Sequence, residues 1–256
     1  MKQSDFFSYE ADYLIAVEMT TPRFPLKTIG LIGGMSWEST QTYYRLINQK
    51  VRDELGGLHS ARLVLYSVDF AEIEALQHQA DWQATAEILG SVGRSVESAG
   101  AEFLVLCTNT MHKVASQIER AVSIPLLHIA DATANVLKKD GVTCVGLLGT
   151  RFTMEQTFYL GRLQDHGIRV VVPDESQRER IHSVIYNELC RGVVKSDSKI
   201  AYLNVVASLA ECGAQGVILG CTEIGLLIQG SDTDVRLYDT TEIHAEQAVQ
   251  LALGRI

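Results

Sequence analysis

Two short polar stretches, separated by 113 residues, contain side chains that could do chemistry. Thr108-Asn109-Thr110 and Cys221-Thr222-Glu223 each follow an apolar run that opens with Gly-Ala. A thiol can remove a proton, and the hydroxyl and amide groups beside it can donate hydrogen bonds to a carboxylate. The spacing pairs Thr108 with Cys221 and therefore predicts one such polar loop in each half of the chain.

A second internal repeat supports this duplication. The segment 28–34 resembles the segment 143–149, at a spacing of 115 or 116 residues. Two repeats of similar period predict two structurally similar halves. A site between such halves could act on both faces of one substrate atom.

The repeat also separates two neighbouring candidates, Cys107 and Thr108. It aligns Cys107 with Gly220 and Thr108 with Cys221. Since adjacent residues leaving a strand point in opposite directions, we expect Thr108 in the site and Cys107 against the core. Cys221 is expected at a helix N-terminus, which would lower its thiol pKa and make it a usable base.

Several other residues are expected to contact a ligand. Asn109, Thr110, Thr222 and Ser36, with loop amides near Met35, are predicted to lie at helix N-termini, which favour anions such as a carboxylate. The Gly33-Gly34 pair would let the backbone approach that ligand. Further polar candidates follow strands or belong to these loops: Glu223, which could accept an ammonium or stabilise a helix N-terminus; His112, which could orient a ligand or cap a helix; and Thr153.

The apolar runs predict an α/β fold. Strands are predicted at 28–32, 61–68, 103–107, 126–129, 144–148, 170–172, 216–219 and 235–238, and helices at 39–55, 85–99, 111–122, 154–166, 179–191, 199–212 and 243–253. The strand runs are continuous rather than alternating, which is typical of parallel sheets covered by helices. Ligands bind outside the carboxyl ends of such strands, and the polar loops lie there.

The expected domains are residues 26–124 plus 232–256 and residues 125–231. Residues 1–25 are interpreted as a disordered N-terminal extension without the pattern of a signal peptide. The net charge of −9 argues against nucleic-acid or membrane partners. Five cysteines without a C-x-x-C pair indicate reduced thiols in the cytoplasm and no zinc site.

With these motifs in place, the chain resembles the aspartate/glutamate racemase family from about Lys27 to Ala252. The resemblance rests on the segment 29–36 and on both polar loops, 108–112 and 220–223. It implies two pseudosymmetric α/β domains, an active site in the cleft between them, and proton transfer at Cα without a cofactor. It also implies an amino-acid substrate and a homodimer.

The chain departs from the family pattern at two points. The first loop of the family begins with cysteine, and Thr108 stands here instead, as in a Thr/Cys subgroup described as acting on L-aspartate and L-glutamate. The resemblance then implies that Cys221 removes the proton of the L-enantiomer. The Arg and Lys that hold the distal carboxylate in many aspartate racemases are not evident, and Gln77, Arg151 or Arg191 could substitute.

Two alternative functions are left open by the sequence. One is a related Cα enzyme, such as a maleate isomerase or an arylmalonate decarboxylase, because one thiol is enough to deliver one proton. The other is an amino-acid-binding protein impaired in catalysis by loss of the first cysteine.

Overall fold

The computed structural model describes residues 26–256, and the extension predicted at residues 1–25 lies outside this range. Two four-stranded sheets form the framework, and every strand pairing in them is parallel. The two central strands of each sheet are buried and helices pack against the sheets, so the predicted α/β fold with two similar, mostly parallel sheets is confirmed.

The first sheet has the strand order β2-β1-β3-β4. Its elements along the chain are β1 (Ile29–Gly33), α1 (Trp37–Leu55), β2 (Leu63–Ser67), α2 (Phe70–His78), α3 (Trp82–Ser98), β3 (Phe103–Leu106), a 3₁₀ helix (Thr110–Val114), α4 (Ala115–Ala121) and β4 (Leu126–Leu127). Helix α5 (Ile129–Lys139) then leads to the second sheet.

The second sheet repeats this order as β6-β5-β7-β8. Its elements are β5 (Cys144–Gly149), α6 (Arg151–Glu155), α7 (Thr157–Asp165), β6 (Arg169–Val171), α8 (Glu175–Asn187), a 3₁₀ helix (Leu189–Arg191), α9 (Ser196–Glu211), β7 (Val217–Gly220), two 3₁₀ helices (Ile224–Leu226 and Gly230–Asp232), β8 (Leu237–Asp239) and α10 (Thr240–Ala252).

The strand register confirms the internal repeat residue by residue. Gly30 lies opposite Leu104 in the first sheet, and Gly146 lies opposite Val217 in the second. The offsets along the chain are 116 for the first strand and 113 for the second, as the two sequence repeats predict. Thr108 and Cys221 therefore leave equivalent strands at equivalent positions.

The assignment of strands β4 and β8 corrects two expectations. Residues 126–127 pair with β3 of the first sheet, although the predicted boundary put them in the second domain. Strand β8 pairs with β7 of the second sheet, although we expected it to return to the first. The repeat is longer than its two sequence signals suggested, because each sheet adds a fourth strand beside its third.

The last helix of each half packs on the core of the other half. Helix α10 contributes Ala245, Ala248 and Val249 to the core formed by α1 and the first sheet. Helix α5 contributes Ile129, Ala134 and Leu137 to the core of the second sheet. Helix α10 thus packs on the first sheet, and α5 makes the reciprocal crossing onto the second.

All eight predicted strands are present, with ends that shift by at most two residues. Helices α2 and α5 lie in stretches for which no helix was predicted. Within the described part of the chain, no helix is long and apolar enough to span a membrane.

Candidate active site

A small cavity lies between the two domains at the carboxyl ends of the strands. Its volume is about 30 Å³, which is room for one or two water molecules. The lining residues come from both halves of the chain: Met35, Phe70, Gln77, Thr108, Asn109, Thr110, Met111, Thr150, Ile185, Tyr186, Cys190, Gly220, Cys221, Thr222 and Glu223. The two loops singled out by the repeat thus meet at one cavity, as expected for a site in the interdomain cleft.

Cys221 lies in this cavity with its thiol hydrogen-bonded to a carboxylate. The Sγ donates to Glu223 Oε2 at 3.0 Å, and Thr222 Oγ1 donates to the same oxygen at 2.7 Å. The other carboxylate oxygen accepts a hydrogen bond from Ser36 Oγ, across the cleft, at 2.7 Å. Glu223 is 4% exposed and is held by three donors, so its orientation toward the thiol is fixed.

The electrostatics at Cys221 overturn the expected lowering of its pKa. Burial raises the thiol pKa well above its usual value, and the neighbouring Glu223 raises it further. The predicted helix after the loop is only the 3₁₀ helix Ile224–Leu226, which is too short to supply a stabilising dipole. The resting group is a protonated thiol that donates to Glu223.

The equivalent residue in the first half, Thr108, is held through its backbone. Its side chain lines the cavity, whereas Cys107 is fully buried in the core beneath α1, so the expected opposite placement of these neighbours is confirmed. The His112 Nδ1 lies 2.8 Å from the Thr108 carbonyl oxygen, and the Ile129 amide lies 3.2 Å from the other ring nitrogen. These partners define a neutral imidazole with Nδ1 as the donor.

Two further histidines pack against His112. Ring centroids lie 4.5 Å away for His128 and 5.8 Å away for His244. Burial lowers the pKa of His112 well below its usual value, that of His128 to about 3 and that of His244 to about 4. The cluster is therefore uncharged at neutral pH and supports the first loop from behind, outside the cavity lining.

Asn109 and Thr110 also span the two halves. Asn109 Nδ2 donates to Thr240 Oγ1 at 3.0 Å, and the Thr110 and Thr150 hydroxyls lie 3.2 Å apart. Thr240 itself donates to the Leu219 carbonyl, which fixes the amide orientation of Asn109. The Oδ1 of Asn109 is then buried without a hydrogen-bond partner among the described residues.

A model of the Asp/Glu/hydantoin racemase family matches residues 32–248. The chain belongs to this family. The match includes strands of both sheets and both polar loops. It agrees with the resemblance stated from the motifs, and it places the chain among racemases, which are isomerases.

Similar proteins carry the same assignment. The broad specificity amino-acid racemase RacX of Bacillus subtilis is 23% identical over 88% of this chain and 98% of its own length. A crystal structure of an inferred Asp/Glu racemase from Yersinia pestis is 56% identical, with a TM-score of 0.84, and the match covers 89% of this chain and 99% of that one. An aspartate racemase homologue from Pyrococcus horikoshii is 36% identical, with a TM-score of 0.77 and coverage of 88% and 99%.

The arylmalonate decarboxylases, one of the alternatives left open by the sequence, are less similar to this chain than the racemases above. A structure of an arylmalonate decarboxylase variant is 14% identical, with a TM-score of 0.55, over 90% of this chain and 94% of that one. At this identity the likeness shows a common fold and nothing more.

The other residues predicted for the racemase site lie at different distances from the cavity. Met35 and Gln77 line it, and Ser36 reaches it through Glu223. Thr153 is fully buried behind the lining, where its hydroxyl lies 3.2 Å from that of Thr150. Thr153 is therefore too deep to contact a ligand in this conformation.

Gly33 and Gly34 serve packing rather than ligand approach. A Cβ at Gly34, which has φ +91°, would lie 2.1 Å from the Val68 carbonyl oxygen, and one at Gly33 would lie 2.4 Å from Thr40 Cγ2. Neither glycine lines the cavity. Their small size lets the loop after β1 pack closely on its neighbours and so positions Met35 and Ser36.

Sequence reasoning missed Tyr186, whose hydroxyl accepts a hydrogen bond from Gln77 Nε2 at 2.8 Å. Tyr186 lies in α8 directly after the buried residues Val184 and Ile185, and no sequence signal distinguishes it from a packing residue. The proposed cationic substitutes lie elsewhere: Arg151 pairs with Glu179 at 3.5 Å, and Arg191 is exposed. Among residues 26–256, no cluster of three or more histidine, cysteine or acidic side chains could hold a metal ion.

Proposed function

We propose that the protein is a cofactor-independent amino-acid racemase that interconverts the enantiomers of aspartate and of glutamate by proton transfer at Cα. The observation that carries the proposal is the meeting of Cys221 and Thr108, from equivalent strands of two halves, at one buried cavity. A substrate carbon between them would present one face to each side chain. Family membership and the aspartate racemase homologue support the same reaction.

The proton path on the Cys221 face begins at Glu223. The carboxylate accepts the thiol proton along the existing 3.0 Å hydrogen bond, and the thiolate then removes the Cα proton of the L-enantiomer. A thiol whose pKa is raised by burial is a stronger base once it is deprotonated, which suits the weakly acidic Cα proton. Glu223 thus acts on the thiol, in addition to the role toward the substrate ammonium that the sequence suggested.

The opposite face has a weaker acid–base group. A threonine hydroxyl is a far poorer acid than a thiol, so we assign proton delivery on this face to a water that Thr108 positions. The resulting reaction is one-sided: removal of the proton from the L-enantiomer is the easier half.

The α-carboxylate and ammonium groups would bind at the loop residues. Thr110 and the second N–H of Asn109 can donate to the carboxylate, the Thr222 hydroxyl can do so only by turning away from Glu223, and the unpartnered Oδ1 of Asn109 can accept from the ammonium. An unpaired buried acceptor is costly, and a substrate donor would remove that cost.

Substrate binding requires the cleft to open. A cavity of about 30 Å³ is too small for an amino acid, and side-chain hydrogen bonds cross it at Ser36–Glu223 and Gln77–Tyr186. We assign this conformation to the closed state in which the reacting groups are shielded from bulk water.

Deuterium exchange at Cα in heavy water tests the proposal. L- and D-aspartate and L- and D-glutamate are incubated with the protein and followed by NMR and chiral chromatography. Exchange with appearance of the opposite enantiomer supports the racemase. Carbon dioxide release from a malonate substrate would support the decarboxylase instead, and amino-acid binding without exchange would support the binding protein.

We extend the proposal to a cytoplasmic homodimer. All five cysteines are free thiols, which fits a reducing compartment. Helix α1 exposes Trp37 and Tyr44, and the neighbouring edge strand β2 exposes Leu65 and Tyr66, each by more than 40%. Light scattering after size exclusion measures the assembly, and Tyr44→Glu with Leu65→Glu should shift a dimer to monomer.

A further inference from the structure

We infer that Trp82, Lys113 and Phe152 form a latch that holds the two halves of the molecule closed around the reacting groups, and that the cleft opens by releasing this latch. The inference rests on the proposed racemase function. None of the three residues lines the cavity between the domains, so they are positioning residues that touch no reacting atom.

The latch joins side chains from the two halves of the chain. The Trp82 ring, at the start of α3, meets the Phe152 ring of α6 edge to face, with centroids 5.5 Å apart and 75° between the ring planes. Lys113 Nζ lies 3.9 Å from the centroid of the Trp82 ring and donates to Gln156 Oε1 at 2.7 Å. Edge-to-face aromatic pairs and cation–π contacts are both attractive. The aromatic pair and the Lys113–Gln156 hydrogen bond each connect the first half to the second.

The surroundings of Phe152 indicate that its contact serves the interface between the halves. Trp82 packs at the edge of the core of the first sheet, whereas Phe152 does not belong to the described core of the second. The half-buried Phe152 ring packs instead on Trp82 and on His182, whose ring centroid lies 6.4 Å away. Separation from Trp82 would expose this ring to water, so the hydrophobic effect favours the closed latch.

The chain crosses between the halves at two adjacent places, which define a hinge. Strand β4 leads into α5, and strand β8 leads into α10. Helices α5 and α10 pack against each other, and His244 Nε2 of α10 lies 2.9 Å from the Leu127 carbonyl oxygen. Covalent crossings cannot separate, whereas Trp82 and Phe152 are joined only by their contact. An opening motion therefore turns about the α5–α10 side and separates the latch.

The latch is connected to the reacting groups through two short segments. Lys113 lies on the 3₁₀ helix that begins at Thr110, and Phe152 follows Thr150 by two residues. The hydroxyls of Thr110 and Thr150 lie 3.2 Å apart at the cavity. Closure of the latch therefore presses the loop that carries Thr108 against the second half of the molecule.

Three native cysteines can report this motion without any reaction of a substrate. Cys212 is exposed, Cys221 lies in the cavity, and Cys107 is fully buried in the core. Labelling of Cys212 by a thiol reagent measures the intrinsic reaction, labelling of Cys221 measures opening of the cleft, and labelling of Cys107 measures unfolding. When opening and closing are fast, the labelling rate is proportional to the open population.

The first test compares Trp82→Ala with the unmodified protein, using N-ethylmaleimide and mass spectrometry of each cysteine peptide. We expect the labelling rate of Cys221 to rise by about tenfold, the factor for 1.4 kcal/mol of lost contacts, while the rates of Cys212 and Cys107 stay the same. An unchanged rate at Cys221 overturns the inference. An equal rise at Cys107 also overturns it, because Trp82 would then stabilise the whole fold. Gln83→Ala, at the exposed next position, is the matched control and should change none of the rates.

Conservative variants separate the contact between rings from simple burial. Trp82→Phe keeps a ring for Phe152 and should restore most of the protection of Cys221, whereas Trp82→Leu keeps only apolar volume and should not. Lys113→Met removes the charge at similar length and should raise the Cys221 rate by a smaller factor, about threefold. Equal rates in Trp82→Phe and Trp82→Leu would contradict the aromatic contact and overturn the inference.

Fluorescence measures the latch without thiol chemistry. The chain has two tryptophans, so Trp37→Phe leaves Trp82 as the one emitter. In that background, Phe152→Leu should shift the emission to longer wavelength and increase quenching by acrylamide, because the Trp82 ring gains contact with water. An emission spectrum and quenching that do not change would overturn the inference.

The latch and the racemase function can fail independently in these experiments. Saturating L-aspartate should slow the labelling of Cys221 in the unmodified protein if the cleft binds an amino acid. Labelling that depends on Trp82, with no protection by any amino acid and no Cα exchange, would retain the latch and overturn the racemase function. Labelling that is independent of Trp82, with normal exchange, would overturn the latch and retain the racemase.

Discussion

The loops after β3 and β7 have the same position in the fold but different chemical partners. Strand registers place Thr108 and Cys221 equivalently, yet Thr108 is held at its carbonyl by a neutral His112, and Cys221 donates its thiol proton to Glu223. The first loop is thus fixed in shape, while the second is prepared for proton transfer. Duplication preserved the backbone geometry, and the difference in function lies in which atom the neighbouring side chain contacts.

The neighbouring cysteine makes the same point within one loop. Cys107 and Cys221 are both buried thiols, and burial raises the pKa of both. Cys107 packs among Tyr43 and Val105 beneath α1, whereas Cys221 has a carboxylate at 3.0 Å and lines the cavity. A raised pKa alone does not identify a reactive thiol; the proton acceptor beside it distinguishes Cys221.

The largest expected effect tests this distinction. Cys221→Ser should lower Cα exchange by about 10²–10⁴-fold, because it removes the group that takes the proton. Cys107→Ala should keep most of the activity and lose about 1–2 kcal/mol of unfolding free energy through a core cavity. Exchange assays and urea titrations of both variants measure the two quantities, and full activity in Cys221→Ser contradicts the proposed mechanism.

The next effect concerns the carboxylate beside the thiol. Glu223→Gln keeps a hydrogen-bonding side chain of the same size but removes the negative charge, so the thiol pKa should fall. If Glu223 accepts the thiol proton, exchange at pH 7 should nevertheless drop by about 10–100-fold. A rise in activity at neutral pH would show that Glu223 only hinders ionisation of Cys221. Thr222→Val, which removes the neighbouring donor to the same carboxylate, is the matched comparison.

A smaller effect is expected when the two loops are made alike. Thr108→Cys introduces a thiol on the opposite face, and single-turnover exchange from the D-enantiomer should rise by about tenfold, while exchange from the L-enantiomer changes little. Single-turnover conditions are needed because the equilibrium of a true racemisation fixes the ratio of forward and reverse kcat/KM at one. Thr108→Ser is the control, and equal rates from both enantiomers in the unmodified protein would contradict the expected one-sidedness.

The smallest expected effect concerns the histidine cluster that packs behind the first polar loop, and it is a change of folding stability with pH. The folded-state pKa values of His112, His128 and His244 lie below the usual 6.5, so the unfolded chain binds more protons as the pH falls below about 6.5. The stabilisation is fully present above pH 6.5 and is lost as the pH falls, down to about pH 4 for His244 and about pH 3 for His128, at up to about 1.4 kcal/mol per pH unit for each histidine. Denaturant titrations between pH 7.5 and 5 measure this slope.

A matched pair of variants assigns that slope to the cluster. His128→Asn retains a side chain able to cap α5 and should reduce the slope by about one proton. His59→Asn, which changes a histidine outside the cluster, should leave it unchanged. A slope that is equal in the two variants would mean that other groups cause the acid sensitivity.

Much of the fold could be predicted because it depends on patterns along the chain. Continuous apolar runs located all eight strands, and the two repeats identified Thr108 and Cys221 as equivalent and Cys107 as a core residue. These inferences depend on two rules: side chains alternate along a strand, and the carboxyl ends of parallel strands lie at one edge of the sheet. Both rules can be applied to a short stretch of sequence.

The rest depends on contacts between distant residues. The predicted direction of the pKa shift of Cys221 was wrong, because burial and Glu223 raise the thiol pKa by more than any helix dipole could lower it. Neither the burial nor the short 3₁₀ helix can be recognised in the sequence. Tyr186 reaches Gln77 across 109 positions of the chain. Strand β8 was assigned to the wrong sheet because the repeat signals end before it.

The reciprocal crossing of helices α5 and α10 has a consequence for synthesis on the ribosome. The core beneath α1 needs Ala245, Ala248 and Val249 of α10, which follow the whole second sheet along the chain and emerge only after it. The first sheet would therefore be exposed on that face while the whole second half is made, and an N-terminal fragment ending near residue 127 would lack part of its own interior. A chaperone that binds nascent apolar surface would have its longest opportunity at the α1 face.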